Sequence, residues 1–249
     1  MKILVIGDPH GSEKICKLEK ELEKADLVLL TGDVGKADLA RKFAFENFER
    51  VKKGLKKKKP TKREQKLIEK EIYGSTIHLL KYLSKFAPVY TIQGNVGMEY
   101  SKVNKMRNVH LVKNRVRNIN GLRVGFLEYF VDTNWVQDFR PGDYMKSLKK
   151  AKRQTDKAKG ILKRFGEVDI LICHQPPYKV LDKVTNPDAP KSYIGKHAGS
   201  KAILDYIKRK QPKYVFCGHI HEGKGRRKIG RTEVYNVGCC GDYIMIDIQ

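Results

Sequence analysis

Three features of the sequence predict an α/β fold. Short apolar runs rich in Val, Ile and Leu alternate with longer stretches whose apolar residues recur at helical spacing. The major runs stop abruptly at glycine or proline, as buried strands do. The opening strand–helix–strand order then points to βαβ units, whose parallel strands need helices to cover the sheet.

The elements follow in order. Lys2-Ile3-Leu4-Val5-Ile6 is a buried strand that breaks into Gly7-Asp8-Pro9-His10-Gly11. Ser12 is a suitable N-cap for a helix over Glu13–Lys24, where Ile15, Leu18 and Leu22 share a face. Asp26–Leu30 is the second strand and ends in Thr31-Gly32-Asp33. Residues 36–86 read as a basic helical hairpin, with Phe43, Ala44, Asn47, Phe48 and Val51 on one amphipathic face and a break at Pro60. Pro88–Ile92 is a third strand, followed by Gln93-Gly94-Asn95-Val96-Gly97. Val116–Leu127 reads as a hairpin turning at Asn120-Gly121. Residues 129–166 leave the βαβ rhythm and are expected to form a cap-like basic insertion near the active edge. Val168–Cys173 runs into His174-Gln175-Pro176-Pro177, and Tyr214–Cys217 into Gly218-His219-Ile220-His221. Between them, His197-Ala198-Gly199-Ser200 precedes a helix over Lys201–Lys210, and small strands close the chain.

Composition narrows the class. At 249 residues with 40% apolar content the chain can bury a sizeable core, and we read residues 1–249 as one domain. No run reaches the roughly 18 consecutive apolar residues of a membrane span, and no secretory signal is seen. A cytoplasmic location is therefore expected. Cys16, Cys173, Cys217, Cys239 and Cys240 show no Cys-x-x-Cys spacing, so neither a zinc ribbon nor a dithiol redox motif is indicated. The net charge of +24 is concentrated: segments 50–70 and 146–164 together carry +17 of it. Acidic residues do not keep pace there, which suggests attraction to a polyanion, nucleic acid above all.

The chemistry lies at the strand ends. Five of them carry Asp8 and His10, Asp33, Asn95, His174, and His219 with His221. Ligands in open α/β sheets collect at the carboxyl ends of the strands. Two carboxylates, one amide and four imidazoles are too many for one tetrahedral zinc. They suit two octahedral-leaning divalent metals that share a carboxylate.

These motifs, in this order from residue 7 to 221, resemble those of the calcineurin-like metallophosphoesterases. The resemblance implies a four-layer α/β/β/α sandwich of two mixed β-sheets flanked by helices, with a dinuclear centre. It would place Asp8, His10 and His221 on one metal, Asn95, His174 and His219 on the other, and Asp33 between them. It implies two divalent ions, manganese first among manganese, iron, zinc and nickel, and a metal-bridging hydroxide as nucleophile.

One departure bears on the reaction. The family's third motif usually continues Gly-Asn-His-Asp/Glu, and that His assists the leaving oxygen; here Val96 and Gly97 follow Asn95. A positioned proton donor contributes about 10²–10⁴-fold. His197 is the candidate replacement, with Ser200 at the following helix N-terminus as a substrate contact. A surface histidine and an ordinary N-cap are the structural alternative.

The function expected is hydrolysis of a phosphodiester, in a nucleotide or nucleic acid, guided by segments 50–70 and 146–164. Two rivals stand beside it: a non-catalytic module binding a partner or nucleic acid on the same fold, and a phosphomonoesterase or protein phosphatase. No membrane partner is expected, and the oligomeric state is open.

Overall fold

The structure, a computed structural model, describes residues 1–96, 103–141 and 143–248, and at Phe48, Lys52 and Asn104 the backbone alone. Gly97 and the Phe48 side chain, named above, lie outside the described residues. The elements in chain order are β1 (Lys2–Ile6), a 3₁₀ segment (Glu13–Leu18) leading into α1 (Glu19–Leu22), β2 (Leu27–Leu30), α2 (Asp38–Lys52), α3 (Lys62–Leu83) and β3 (Val89–Thr91). Then come β4 (Val109–Leu111), β5 (Arg115–Ile119), β6 (Leu122–Leu127), α4 (Thr133–Phe139), α5 (Tyr144–Phe165), β7 (Ile170–Cys173), α6 (Lys201–Lys210) and β8 (Tyr214–Cys217). The chain ends with β9 (Gly225–Ile229), β10 (Thr232–Asn236) and β11 (Tyr243–Asp247).

The apolar runs assemble into two mixed sheets. One has the order β11-β1-β2-β3-β4 and the other β5-β6-β7-β8-β10-β9. β1, β2, β3 and β4 run parallel, with β11 antiparallel at the edge. β6, β7, β8 and β10 are parallel, with β5 and β9 antiparallel at the two edges. The β5–β6 hairpin turns where the sequence marks it, with Asn120 and Gly121 both at positive φ, 50° and 87°. Two successive left-handed residues define the turn that matches strand twist.

Alternation within the strands builds four layers. Ile3, Val5, Leu27 and Leu29 of the first sheet meet Val124, Phe126, Ile170, Ile172 and Phe216 of the second in a shared core. The opposite face of the first sheet, through Leu4, Ile6, Val28 and Leu30, packs on Ile15, Leu22, Leu79, Leu80 and Leu83. The outer face of the second sheet, through Leu127, Leu171 and Val215, packs on α5 and α6. Each fully buried Leu or Ile in these layers contributes about 1.5–3 kcal/mol of transfer free energy. Together these layers form the α/β/β/α sandwich.

Within residues 129–166, Tyr129 does lie beside the site, its ring 5.7 Å from that of His174 and 5.3 Å from that of His219, but α5 requires a correction. Ala151, Ala158, Ile161, Leu162 and Phe165 of α5 are buried, and the last four pack on the second sheet. The helix is the crossover that joins parallel β6 to β7, so it is a structural layer and not a cap over the site. Its basic residues occupy the exposed face.

The hairpin of residues 36–86 forms, with an uneven division of labour. α3 begins with a capping box in which Thr61 and Glu64 satisfy each other's backbone N–H groups. Those bonds, with Lys58 beside them, pull the Glu64 carboxyl down to about 2. Buried Ile72, Thr76, Leu79, Leu80 and Leu83 anchor α3 to the core. α2 has no buried residue among its described side chains, contrary to the amphipathic face expected over 43–51. No helix among the described residues is long and apolar enough to cross a membrane.

Candidate metal centre

The residues singled out at the five strand ends converge at the carboxyl edges of the two sheets. Asp8 follows β1 and is fully buried, its oxygens held by Thr31 Oγ1 and the His219 backbone N–H, each at 2.6 Å. Its backbone is braced by the loop before β11, through bonds to the Gly238 carbonyl and the Cys240 N–H. Asp33 follows β2, and its Oδ1 accepts the Val96 N–H at 2.8 Å. The backbone at position 96 thus orients a site carboxylate whichever side chain is present.

Three site residues lie in the left-handed region, at φ 46° for His10, 38° for Asp33 and 64° for His219. Such strain is held only where the surrounding structure over-determines it, and it clusters at functional positions. Two glycines are required by close approach. A Cβ at Gly94 would collide with the Asp33 carboxylate, and one at Gly218 with the Asp8 carboxylate.

Two groups of donor atoms result. Asp8, His10 and His221 bring one ligand atom each to within 4.8 Å of one another, as do Asp8, Asp33 and His174. His10 Nε2 and His221 Nε2 face each other at 3.3 Å, and the buried His10 Nδ1 has no hydrogen-bond partner. Asp33 Oδ2 lies 3.9 Å from His10 Nε2 and 3.5 Å from His174 Nε2, between the two sets of imidazoles. Asn95 Oδ1 is 2.7 Å from both His174 Nε2 and His219 Nδ1. His174 Nδ1 sits 3.0 Å from the Thr31 carbonyl and donates its N–H there, so Nε2, whose proton now faces Asn95 Oδ1, is the nitrogen that would turn to a metal on losing that proton.

Electrostatics separates the imidazoles. Burial, with positive His174 nearby, pushes His219 down to about 3, so it is neutral at pH 7. His174 is also buried, but Asp8 and Asp33 outweigh that cost and hold it up at about 9. Burial would raise Asp8, yet His174 and His221 keep it well below the usual carboxylate range. Asp33 is raised by burial. Facing ring nitrogens, an orphaned buried Nδ1 and clustered carboxylates fit divalent cations, whose charge they would balance.

The two remaining expectations fare differently. Ser200 is fully buried, its hydroxyl donating to Asp132 and accepting from the Ile203 N–H. It is the N-cap of α6, and its enclosed oxygen cannot meet a substrate. His197 Nδ1 is 2.7 Å from buried Asp182 Oδ1, and its ring lies edge-on to Tyr178. Neither residue is among those lining the cleft at the metal centre. The assignments of His197 to the leaving group and of Ser200 to the substrate are therefore dropped.

That cleft has a volume of about 670 Å³, and His10, Asp33, Asn95, His219 and His221 line it. Sequence reasoning missed its walls. α2 and α3 supply one, with Arg41, Phe45, Ile68 and Ile72, while Asn186, Asp188 and Glu222 supply another. Ala37, Ala40, Arg41, Ala44 and Phe45 follow helical spacing, which is the signal that could have found the first wall. Val96 lines the cleft where the family's histidine would stand.

Comparison with known proteins agrees with this geometry. A model of the calcineurin-like phosphoesterase family matches residues 1–223. An uncharacterised protein of Methanocaldococcus jannaschii is 26% identical over 165 residues, 64% of this chain and 68% of its own. Among solved structures, phosphopantetheinyl hydrolase of Mycobacterium tuberculosis superposes with a TM-score of 0.51 at 14% identity, over 97% of this chain and 90% of its own. A dimetal phosphatase of Danio rerio gives a TM-score of 0.51 at 11% identity, over 98% and 91%. These two likenesses concern the fold. With the family model spanning most of the sequence and its motif residues drawn together at one sheet edge, the chain belongs to the calcineurin-like phosphoesterase family.

Proposed function

We propose that this metal-dependent phosphoesterase uses two divalent ions to hydrolyse a phosphodiester with a stable leaving oxyanion. The observation that carries the reading is the convergence of Asp8, His10, Asp33, Asn95, His174, His219 and His221, with Val96 beside them in the cleft. Asp8, His10 and His221 would hold one ion, Asn95, His174 and His219 the other, and Asp33 would be shared. When bound, the pair supplies an acidified water and polarises the phosphoryl oxygens.

The other steps belong to this chain's own side chains. Burial lowers the basicity of His10, with a small contribution from Arg41, which lines the same cleft; a phosphate held there would meet its guanidinium. Fixed donors such as the Val96 N–H hold Asp33 in place without reorganisation during reaction. The Val96 side chain offers no proton to the departing oxygen, which favours alcohols that leave as stable anions. Manganese stands first for the metals by family resemblance.

Nucleic acid is the proposed larger partner. Lys149, Lys150, Arg153 and Lys157 are exposed on α5 while its apolar positions are buried, and Lys56–Lys59 are exposed at the hairpin tip. Such contacts give affinity that weakens with salt.

The test is hydrolysis of bis(p-nitrophenyl) phosphate by manganese-loaded protein, beside Asp33→Asn and His174→Ala and with p-nitrophenyl phosphate for comparison. We expect diester turnover that both substitutions remove. Turnover surviving both, or a preference for the monoester, would overturn the respective part of the proposal.

A further inference from the structure

The wall facing the metal centre has a chemistry of its own. Phe45 of α2 is 47% exposed, although it lines the same cleft as the ligand residues. Ile68 and Ile72, one turn apart on α3, continue the apolar surface from Phe45, and Ala44 leaves it unobstructed. Arg41 lies one helical turn before Phe45 on α2, where it adds a cation to this otherwise apolar side. Other parts of the lining are polar: Asn186 and Asp188 belong to it, and Glu222 fixes their loop by accepting the Thr185 and Asn186 N–H groups.

We propose that the α2–α3 wall is the specificity element of the site. Phe45 and Ile68 take the flat aromatic half of a nucleoside phosphoester, while Asn186 and Asp188 meet its sugar hydroxyls. The inference rests on the phosphoesterase reading and adds to it the class of alcohol carried by the substrate. A cleft of about 670 Å³ falls in the range that encloses a small organic ligand. With the phosphoryl group at the metal centre, the rest of the ester would lie in this cleft, against its apolar and polar lining. An aliphatic chain would satisfy the apolar lining but strip water from the Asp188 carboxylate without return, whereas a hydroxylated sugar offers it donors.

The test compares esters with one leaving group, so that departure of p-nitrophenolate is common to all. They are the p-nitrophenyl ester of thymidine 5′-monophosphate, methyl p-nitrophenyl phosphate and octyl p-nitrophenyl phosphate. Manganese-loaded protein is expected to favour the thymidine ester over the methyl ester by about 10-fold in kcat/KM, the scale of one base–aromatic contact. Phe45→Ala and Ile68→Asn should collapse that ratio through KM. Equal rates on the two esters, a preference for the octyl ester, or a Phe45→Ala loss shared in proportion by all three would overturn the proposal. Calorimetric binding of thymidine 5′-monophosphate against methyl phosphate gives a readout that does not need turnover. If no ester is hydrolysed, the phosphoesterase reading fails; nucleotide binding lost in Phe45→Ala would still support the wall, and binding unchanged would overturn it.

Discussion

Asp8, Asp33 and His174 are buried at strand ends and held by fixed donors and acceptors from other elements, whereas Phe45 and Arg41 stand on a helix with no buried residue among its described side chains. In the first region buried polar groups must be satisfied, and Asp8, Asp33 and His174 already have their neighbours in place. The second can change its side chains with little effect on the core. Such a division lets one metal centre serve different esters: the strand edge sets the reaction, and the hairpin sets what enters. The contrast predicts large losses for substitutions in the floor and selective effects for substitutions in the wall.

The largest effect is expected at Asp8. Asp8→Ala removes a buried carboxylate that takes part in both donor groups and leaves the Thr31 hydroxyl and His219 N–H without their acceptor. Diester turnover should fall by about 10³-fold, the upper end for losing one preorganised electrostatic group. Steady-state kinetics, with circular dichroism to verify folding, measures this. A smaller loss is expected from Gly218→Ala, whose Cβ would meet the Asp8 carboxylate. Metal affinity should weaken by about 10–100-fold, as when a ligand's support is disturbed, and titration calorimetry reads it directly.

Val96→His changes the cleft and leaves the ligand residues as they are. It restores a proton donor to a cleft that lacks one at that position. Esters of poor leaving alcohols should gain up to about 10²-fold in kcat, and p-nitrophenyl esters little. Equal gains on both would mean that the new imidazole acts elsewhere. Replacing Lys56–Lys59 with alanine should leave small-diester kinetics as they are. It should lower the salt slope of nucleic-acid binding, by about 0.7–0.9 for each phosphate contact removed.

A pH effect follows from His174. Its folded value of about 9 stands above the ordinary 6.5, so its protonation stabilises the metal-free protein. That contribution is fully present below about 6.5 and is lost as pH rises through about 9. Thermal unfolding of metal-free protein should therefore lose stability across this window, and His174→Gln should flatten the trend. Metal binding at neutral pH displaces the same proton, so affinity should grow as pH rises toward 9.

The strand ends were legible in the sequence because their signals are short-range. A β-branched run, a glycine and a ligand-type side chain lie within a few residues, and the sheet brings their ends together. Residues 129–166 were harder. A parallel crossover and a surface cap both read as an irregular piece followed by a helix, and only the burial of Ala158, Ile161, Leu162 and Phe165 distinguishes them. His197 and Ser200 misled for a related reason. A histidine and a serine before a helix fit a ligand site and a cap equally, and the choice depended on Asp182 and Asp132, 15 and 68 residues away. The cleft wall was hidden because alanine, arginine and phenylalanine at helical spacing look the same whichever way the helix faces.

If the strand edge holds two metals with Asp33 between them, metal content will show it. Protein loaded with manganese and dialysed free of excess should retain two ions per chain by elemental analysis, and Asp33→Ala should retain fewer. One ion or none in the unaltered protein, or two still present in Asp33→Ala, would exclude a pair of metals that share Asp33.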